Sequence, residues 1–167
     1  LANTYALLHQ FKSAEELFNQ ALKQAEAVGQ PVTRAGIEGN IGLFALMQGR
    51  YDRALDFLER SRQHYTSLGL TIQAILAEHE IADAYLELNL APEALRIYER
   101  VIPIFAEHGM RAEQARAQAY KGRALMLIGR TKEAQRCLDQ AQRLYAAEEN
   151  PVGAALVELT HAQLLYR

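Results

Sequence analysis

The sequence predicts an all-α solenoid of antiparallel helix pairs stacked side by side, and three observations carry that prediction. The first is composition: 28 of the 167 residues are Ala and only four are Pro, a mixture that favours helices packed at short range. The second is an internal period. Sliding the chain against itself by forty residues aligns Ala14, Ala54, Ala94 and Ala134, and likewise Gly29, Gly69 and Gly109 with Glu149. A further column reads His9, Gly49, Asn89, Gly129, and another reads Ala2, Gly42, Ala82, Gly122, Ala162. The third observation is that large apolar residues keep the same register. Phe18, Leu58, Tyr98 and Leu138 align, as do Leu17, Phe57, Ile97 and Cys137, and Ala25, Tyr65, Phe105 and Tyr145. No insertion interrupts four periods, and a period of this length marks stacked repeats.

The chain accordingly divides into a partial repeat at 1–30, full repeats at 31–70, 71–110 and 111–150, and the first helix of a further repeat at 151–167. Nine helices are expected, the outermost two partial. Second helices fall near 11–28, 51–68, 91–108 and 131–147. In the repeat at 31–70, Pro31 opens a first helix where a missing N–H costs nothing, and Gly49 and Gly69 close the two helices in the left-handed conformation. Asn89 and His9 suit that position at some cost. Thr71 and Thr131 read as N-caps, and Asn150 as the cap before Pro151. Pro92 belongs to a first turn, whereas Pro103 lies inside a helical pattern and is expected to kink or loosen the helix ending near His108.

The small residues explain how the helices pair. Gly42, Ala82 and Gly122 on first helices stand against Ala54, Ala94 and Ala134 on second helices, so two axes can approach within ~8–10 Å. Leu58, Tyr98 and Leu138 fill the space beside them. One pair cannot bury its apolar face alone, so pairs must stack.

The run Asn40-Ile41-Gly42-Leu43-Phe44-Ala45-Leu46-Met47-Gln48-Gly49-Arg50-Tyr51-Asp52-Arg53-Ala54 resembles the tetratricopeptide repeat. The usual period of that repeat is about 34 residues. The longer period here is similar to the repeats of kinesin light chains, Pins-type polarity proteins, bacterial MalT-like regulators and the arrays attached to CHAT proteases. The resemblance implies a right-handed superhelix whose first helices line a concave face, along which a peptide or partner protein lies. Period-matched positions on that face give Asn40, Leu43, Met47, His79, Asp83, Glu87, Arg116 and Arg123 as candidate partner-binding residues. Asn40 matches the asparagine that hydrogen-bonds a peptide backbone in kinesin-light-chain-like repeats, since an amide both donates and accepts. Glu80, Tyr120 and Thr160 replace it in the other repeats, and Gly39 and Leu43 break the pattern that clamps chaperone tails. Asp83 is expected to face Arg123 one repeat on. The face then runs from apolar (Leu43, Met47) through acidic to basic (Arg116, Arg123), and a partner would carry an apolar anchor followed by basic and acidic residues.

Little else in the sequence asks for chemistry. Eighteen Lys and Arg against twenty Asp and Glu leave a net charge of −2, which argues against nucleic acid or an anionic membrane as partner. The segment from Met110 to Tyr145 has a local excess of base, eight against three, readable as a solvated face or a basic stripe. One cysteine, Cys137, forbids an internal disulfide and reads as a small buried hydrophobe. Glu78, His79, Glu80 and Asp83 read as a solvated face with an i,i+4 ion pair rather than a metal site. Tyr51, Tyr65, Tyr85, Tyr98 and Tyr145 read as core. Single glycines make no phosphate-binding loop. No cofactor, metal or catalytic residue is expected, no targeting or membrane segment is legible, and a cytoplasmic location is anticipated. Leu156, Leu159, Leu164 and Leu165 end the chain on an apolar face. They suggest a segment of a longer protein, or end-to-end or domain-swapped self-association through residues 151–167. The function these observations favour is a non-catalytic protein–protein interaction scaffold. The alternative is the ligand-sensing or regulatory solenoid of a larger signalling, transcription-regulator or protease protein.

Overall fold

The structure, a computed structural model, describes residues 11–165, with side chains described over 11–162. Eight helices follow one another in that range: α1 (Phe11–Ala27), α2 (Pro31–Met47), α3 (Tyr51–Ser67), α4 (Thr71–Glu87), α5 (Ala91–Glu107), α6 (Arg111–Leu127), α7 (Thr131–Ala147) and α8 (Pro151–Leu165). The ninth expected helix, at the start of the chain, lies outside the described residues, as do His9 and the side chains of Leu164 and Leu165. None of the described helices is long and apolar enough to cross a membrane.

Every turn has the same three-residue form because its middle residue is left-handed. Gly29, Gly49, Gly69, Gly109 and Gly129 have φ between 64° and 78°, and Asn89 and Glu149 follow at 59° and 51°. The next residue then donates its N–H to the carbonyl five residues back. Arg50 bonds Ala45 at 2.9 Å, Leu90 bonds Tyr85 at 2.9 Å, and Asn150 bonds Tyr145 at 2.9 Å. This is the Schellman closure, which satisfies carbonyls a helix end would otherwise strand.

Helix starts are less well capped. Asn150 Oδ1 does accept the Gly153 N–H at 2.9 Å. Thr71 and Thr131, expected as caps, are instead the first helical residues. The N-cap of α7 is Arg130, which makes no side-chain cap bond. Pro103 lies inside α5, which continues through it to Glu107. Pro103 is exposed, as is Glu99, whose carbonyl loses its i+4 donor. Water can serve that carbonyl, and the proline ring needs no room in the core.

The chain divides within α4 into two compact units, Leu1–Ala84 and Tyr85–Arg167. In the first, the ring of Phe44 meets Phe18 at 5.4 Å and Phe11 at 5.8 Å, both tilted. Ala14 and Ile41 complete this cluster. Antiparallel pairing of α2 with α3 is written in side-chain contacts whose numbers run in opposite senses. A Cβ on Gly36 would meet Tyr65 Oη at 3.2 Å, one on Gly39 would meet Ser61 Oγ at 3.1 Å, and one on Gly42 would meet Leu58 Cγ at 2.6 Å. The second unit repeats this arrangement. A Cβ on Gly122 would lie 2.8 Å from Leu138 Cδ2 and 3.4 Å from the Ala134 carbonyl. Tyr98, Phe105, Leu125, Leu138 and Val157 are buried in this unit, each contributing about 1.5–3 kcal/mol or more by leaving water. Tyr98 and Tyr145 are core as expected, whereas Tyr51, Tyr65 and Tyr85 are half-buried.

Candidate functional site

The first helices carry the candidate residues, in two groups, one to each unit. On α2, Asn40 and Leu43 are half-buried and Met47 is exposed. They occupy positions i, i+3 and i+7, one stripe of a helix, while the intervening Ile41, Phe44 and Ala45 face the core. The stripe is apolar with one amide at its head.

On α4 the expectation of a solvated acidic face does not hold. His79 is 1% exposed and Asp83 7%. His79 Nε2 lies 3.7 Å from Asp83 Oδ1 across one helical turn, so the pair is internal and offers little surface to a partner. Its period-mate Ala119 is likewise buried.

The second unit assembles a different surface. Glu87, at the end of α4, is exposed, and its Oε1 lies 3.5 Å from Arg123 Nη2 on α6. Arg116 and Arg123 flank Tyr120 on the same helix, with guanidinium carbons 6.0 Å and 5.2 Å from the ring centroid. Spacings of four and three residues put all three on one face. A tyrosine ring attracts guanidinium groups to its face, and a guanidinium is the side chain whose planar fork matches a carboxylate. Tyr120 was not among the candidate residues. The signal for it was present in the order Arg-x-x-x-Tyr-x-x-Arg.

A buried polar position also went unread. Glu38 exposes no surface, yet Arg60 Nη2 lies 2.8 Å from its Oε1 and His64 Nδ1 lies 2.5 Å from its Oε2. In the second unit Gln118 Nε2 donates to Gln140 Oε1 at 3.0 Å, over the same separation of 22 residues as Glu38 and Arg60. The column Glu38, Glu78, Gln118, Glu158 is polar throughout and marks the position in the sequence. Elsewhere, hydrogen bonding from Arg53 holds the Glu15 carboxyl below its usual range, and burial pushes the half-buried Cys137 thiol up. Among the described residues no three His, Cys, Asp or Glu side chains converge as metal ligands.

Known proteins share this architecture. Residues 33–107 match the tetratricopeptide repeat family model. The fold over 99% of the chain matches 77% of BtubC (BKLC) from P. vanneervenii, with a TM-score of 0.76 and 17% identity. Over 98% of the chain it matches 84% of a putative kinesin light chain with nearly identical TPR-like repeats from Podosopora anserina, with a TM-score of 0.74 and 21% identity. A Rap protein complexed with Competence and Sporulation Factor is similar at a TM-score of 0.65 and 15% identity, over 99% of this chain and 50% of that one. No curated protein matches. The chain is an all-α solenoid of the tetratricopeptide-repeat type, and its repeats resemble those of kinesin light chains.

Proposed function

We propose that the chain is a non-catalytic protein–protein interaction module that binds a peptide or partner protein through its first helices. The observation that carries this reading is the contrast between their faces. Asn40, Leu43, Arg116, Tyr120 and Arg123 are half-buried and Met47 is exposed, on first helices whose intervening positions are buried in the core. Leu43 and Met47 supply an apolar foothold and Asn40 a main-chain ligand on α2. Arg116, Tyr120 and Arg123 supply a cationic, aromatic-backed patch on α6. Half-buried aromatic and Arg side chains of this kind dominate binding energy at interfaces. A Rap protein of the same fold is seen complexed with Competence and Sporulation Factor, which gives the reading a precedent in that protein.

Site-specific photo-crosslinking in the source cells tests it. A crosslinker at Leu43 or Arg123 should capture one partner protein, while the same group at Ala106, exposed on α5, should not. Equal capture from all three positions would remove the first-helix faces from consideration.

A further inference from the structure

One side-chain pattern occurs on a second helix and again on a first helix. Arg53, Phe57 and Arg60 on α3 have the same spacing as Arg116, Tyr120 and Arg123 on α6. Both triplets adopt the same arrangement. The guanidinium carbons of Arg53 and Arg60 lie 5.6 Å and 4.9 Å from the Phe57 centroid, against 6.0 Å and 5.2 Å at Tyr120. Steps of four and three residues put one cation a turn before the ring and one a turn after it, on a single helix face. The ring attracts both.

The α3 triplet shows what this arrangement takes. Each guanidinium there receives one carboxylate, and each carboxylate comes from a different helix. Arg53 is hydrogen-bonded to Glu15 of α1, and Arg60 Nη2 lies 2.8 Å from Glu38 Oε1 of α2. The bond from Arg53 holds the Glu15 carboxyl below its usual range although burial opposes this. A guanidinium over a ring keeps its N–H donors, and on α3 those donors go to ionised acids.

On α6 the carboxylate at hand is a looser one. Glu87 Oε1 stands 3.5 Å from Arg123 Nη2, with 47% of the Glu87 side chain and 38% of the Arg123 side chain in water. An ion pair this open contributes little and yields to a better placed acid. The helix is also unbalanced in charge. It carries Arg111, Arg116, Lys121 and Arg123 against Glu113 alone, whereas α3 sets Asp52, Asp56 and Glu59 against three arginines.

We propose, on the premise that the first helices bind a partner, that Arg116, Tyr120 and Arg123 receive an acidic segment of that partner, with Glu87 as its intrachain placeholder. A carboxylate of the segment takes the fork of Arg123 and displaces Glu87, as Glu38 occupies Arg60. A second carboxylate reaches Arg116, as Glu15 reaches Arg53. Glu87 then stands as a like charge beside the bound acid and sets a threshold. A segment with one acidic residue gains little by the exchange, and one with several prevails.

The probe is a fluorescein-labelled peptide of alternating Glu and Ser, followed by anisotropy against the whole chain. A Lys–Ser peptide and a single-stranded oligonucleotide of matched negative charge accompany it. The Glu–Ser peptide should bind saturably and the Lys–Ser peptide should not. Arg123→Lys keeps the charge and should still weaken binding roughly fivefold, because the planar fork is lost. Arg116→Ala with Arg123→Ala should weaken it roughly tenfold or more. Glu87→Gln should tighten it about threefold, the order of one exposed ion pair. Arg136→Ala with Arg143→Ala, exposed on α7, makes the same change of net charge and should leave affinity unmoved. Absence of saturable binding would overturn the proposal, as would equal losses from the α6 and α7 pairs or indifference to Glu87→Gln. An oligonucleotide that binds more tightly than the peptide, and loses affinity with Arg116 and Arg123, would assign the face to nucleic acid instead. A crosslinker at Arg123 that captures a partner while the acidic peptide fails to bind would keep the first-helix face and remove the acidic ligand.

Discussion

Arg60 Nη2 sits 2.8 Å from Glu38 Oε1, joining α3 to a carboxylate that has no exposed surface. The two ends of this contact are unequal, since Arg60 keeps 38% of its side-chain surface in water. Removing Glu38 leaves bases that can rehydrate, whereas removing Arg60 leaves a buried carboxylate with less to neutralise it. Glu38→Ala should therefore cost about 1.5–3 kcal/mol, the range for a charged hydrogen bond, and Arg60→Ala at least as much. The exposed Arg130–Glu133 pair at 2.5 Å is the control. Despite its shorter contact, Glu133→Ala should leave the denaturation midpoint unmoved, because solvent screens an exposed pair. Urea titrations of the three variants decide it, and equal losses at Glu38 and Glu133 would refute the ranking.

Gly42 and Gly122 test the close approach of paired helices. An added Cβ would sit 2.6 Å from Leu58 Cγ at Gly42 and 2.8 Å from Leu138 Cδ2 at Gly122, so the helices must part or the leucines must leave their rotamers. Overpacking of this kind costs ~1–3 kcal/mol, partly offset by the ~0.5–1 kcal/mol that alanine gains over glycine in a helix. Both Gly→Ala variants should be net destabilised. Ala54→Leu and Ala94→Leu, at sites with no exposed surface, should lose a comparable ~1–3 kcal/mol. Ala147→Leu, at an exposed site, should be silent. Thermal melts of the set would detect a failure of this order.

These helix contacts were legible in the sequence because they repeat, so each glycine and alanine column reads as one geometric demand made four times. The turns were legible for the same reason, down to Asn89 and Glu149 standing in for glycine. Thr71 and Thr131 misled because capping propensity is local, while the helix start is set one residue earlier by the invariant three-residue turn. Pro103 shows the limit of single-residue reading, because a proline's cost inside a helix depends on whether its orphaned carbonyl meets water, and the sequence alone does not give exposure. The site was harder. His79 and Asp83 look solvated beside Glu78 and Glu80, but helical rotation turns them inward. The Arg–Tyr–Arg order on α6 and the buried Glu38 become visible only when charge is read by helix face rather than by run.

Glu149 closes α7 at φ 51°, where the other repeats have glycine in the same column. A side chain in the left-handed region is penalised by about 1 kcal/mol or more, and no packing depends on Glu149, which is exposed. Glu149→Gly should raise stability by ~0.5–1 kcal/mol. Asn89→Gly should raise it less, since asparagine tolerates this conformation. The reverse change, Gly49→Ala, should lower it. Differential scanning calorimetry of the three gives the order, and destabilisation by Glu149→Gly would contradict the turn assignment.

Cys137 should behave as packing rather than as a reagent. Burial pushes its thiol above the ordinary range, so thiolate, the reactive form, is scarce near neutral pH. A disulfide reagent added to the native protein at pH 7 should react much more slowly than with the chain in guanidinium. Raising the pH should speed the native reaction without a plateau below pH 9. A native rate equal to the denatured one would make Cys137 an exposed, activated thiol.

Tyr120 lies between two guanidinium groups, and one of them, Arg123, is also shared with Glu87 at 3.5 Å. Two roles for this cluster predict different results. If it only stabilises α6 and the end of α4, Arg123→Ala should shift stability by no more than ~1 kcal/mol, since both charges are largely solvated, and partner affinity should not move. If it receives an acidic partner, Arg123→Ala and Arg116→Ala should each weaken binding by ~1–3 kcal/mol with stability little changed. Tyr120→Leu should weaken it by ~1 kcal/mol, because the ring no longer holds the guanidinium groups in place. Glu87→Gln supplies the sign. An acidic partner competes with Glu87 for Arg123, so neutralising Glu87 should tighten binding, whereas a basic partner would bind more weakly. Asn40→Ala on α2 should cost affinity in either case if the partner's main chain runs along the first helices. Calorimetric titration of the crosslinked partner against these variants separates the outcomes. Tighter binding to Glu87→Gln together with weaker binding to Tyr120→Leu is the pattern that a structural role cannot produce, because a purely structural cluster has no reason to respond to the partner's charge.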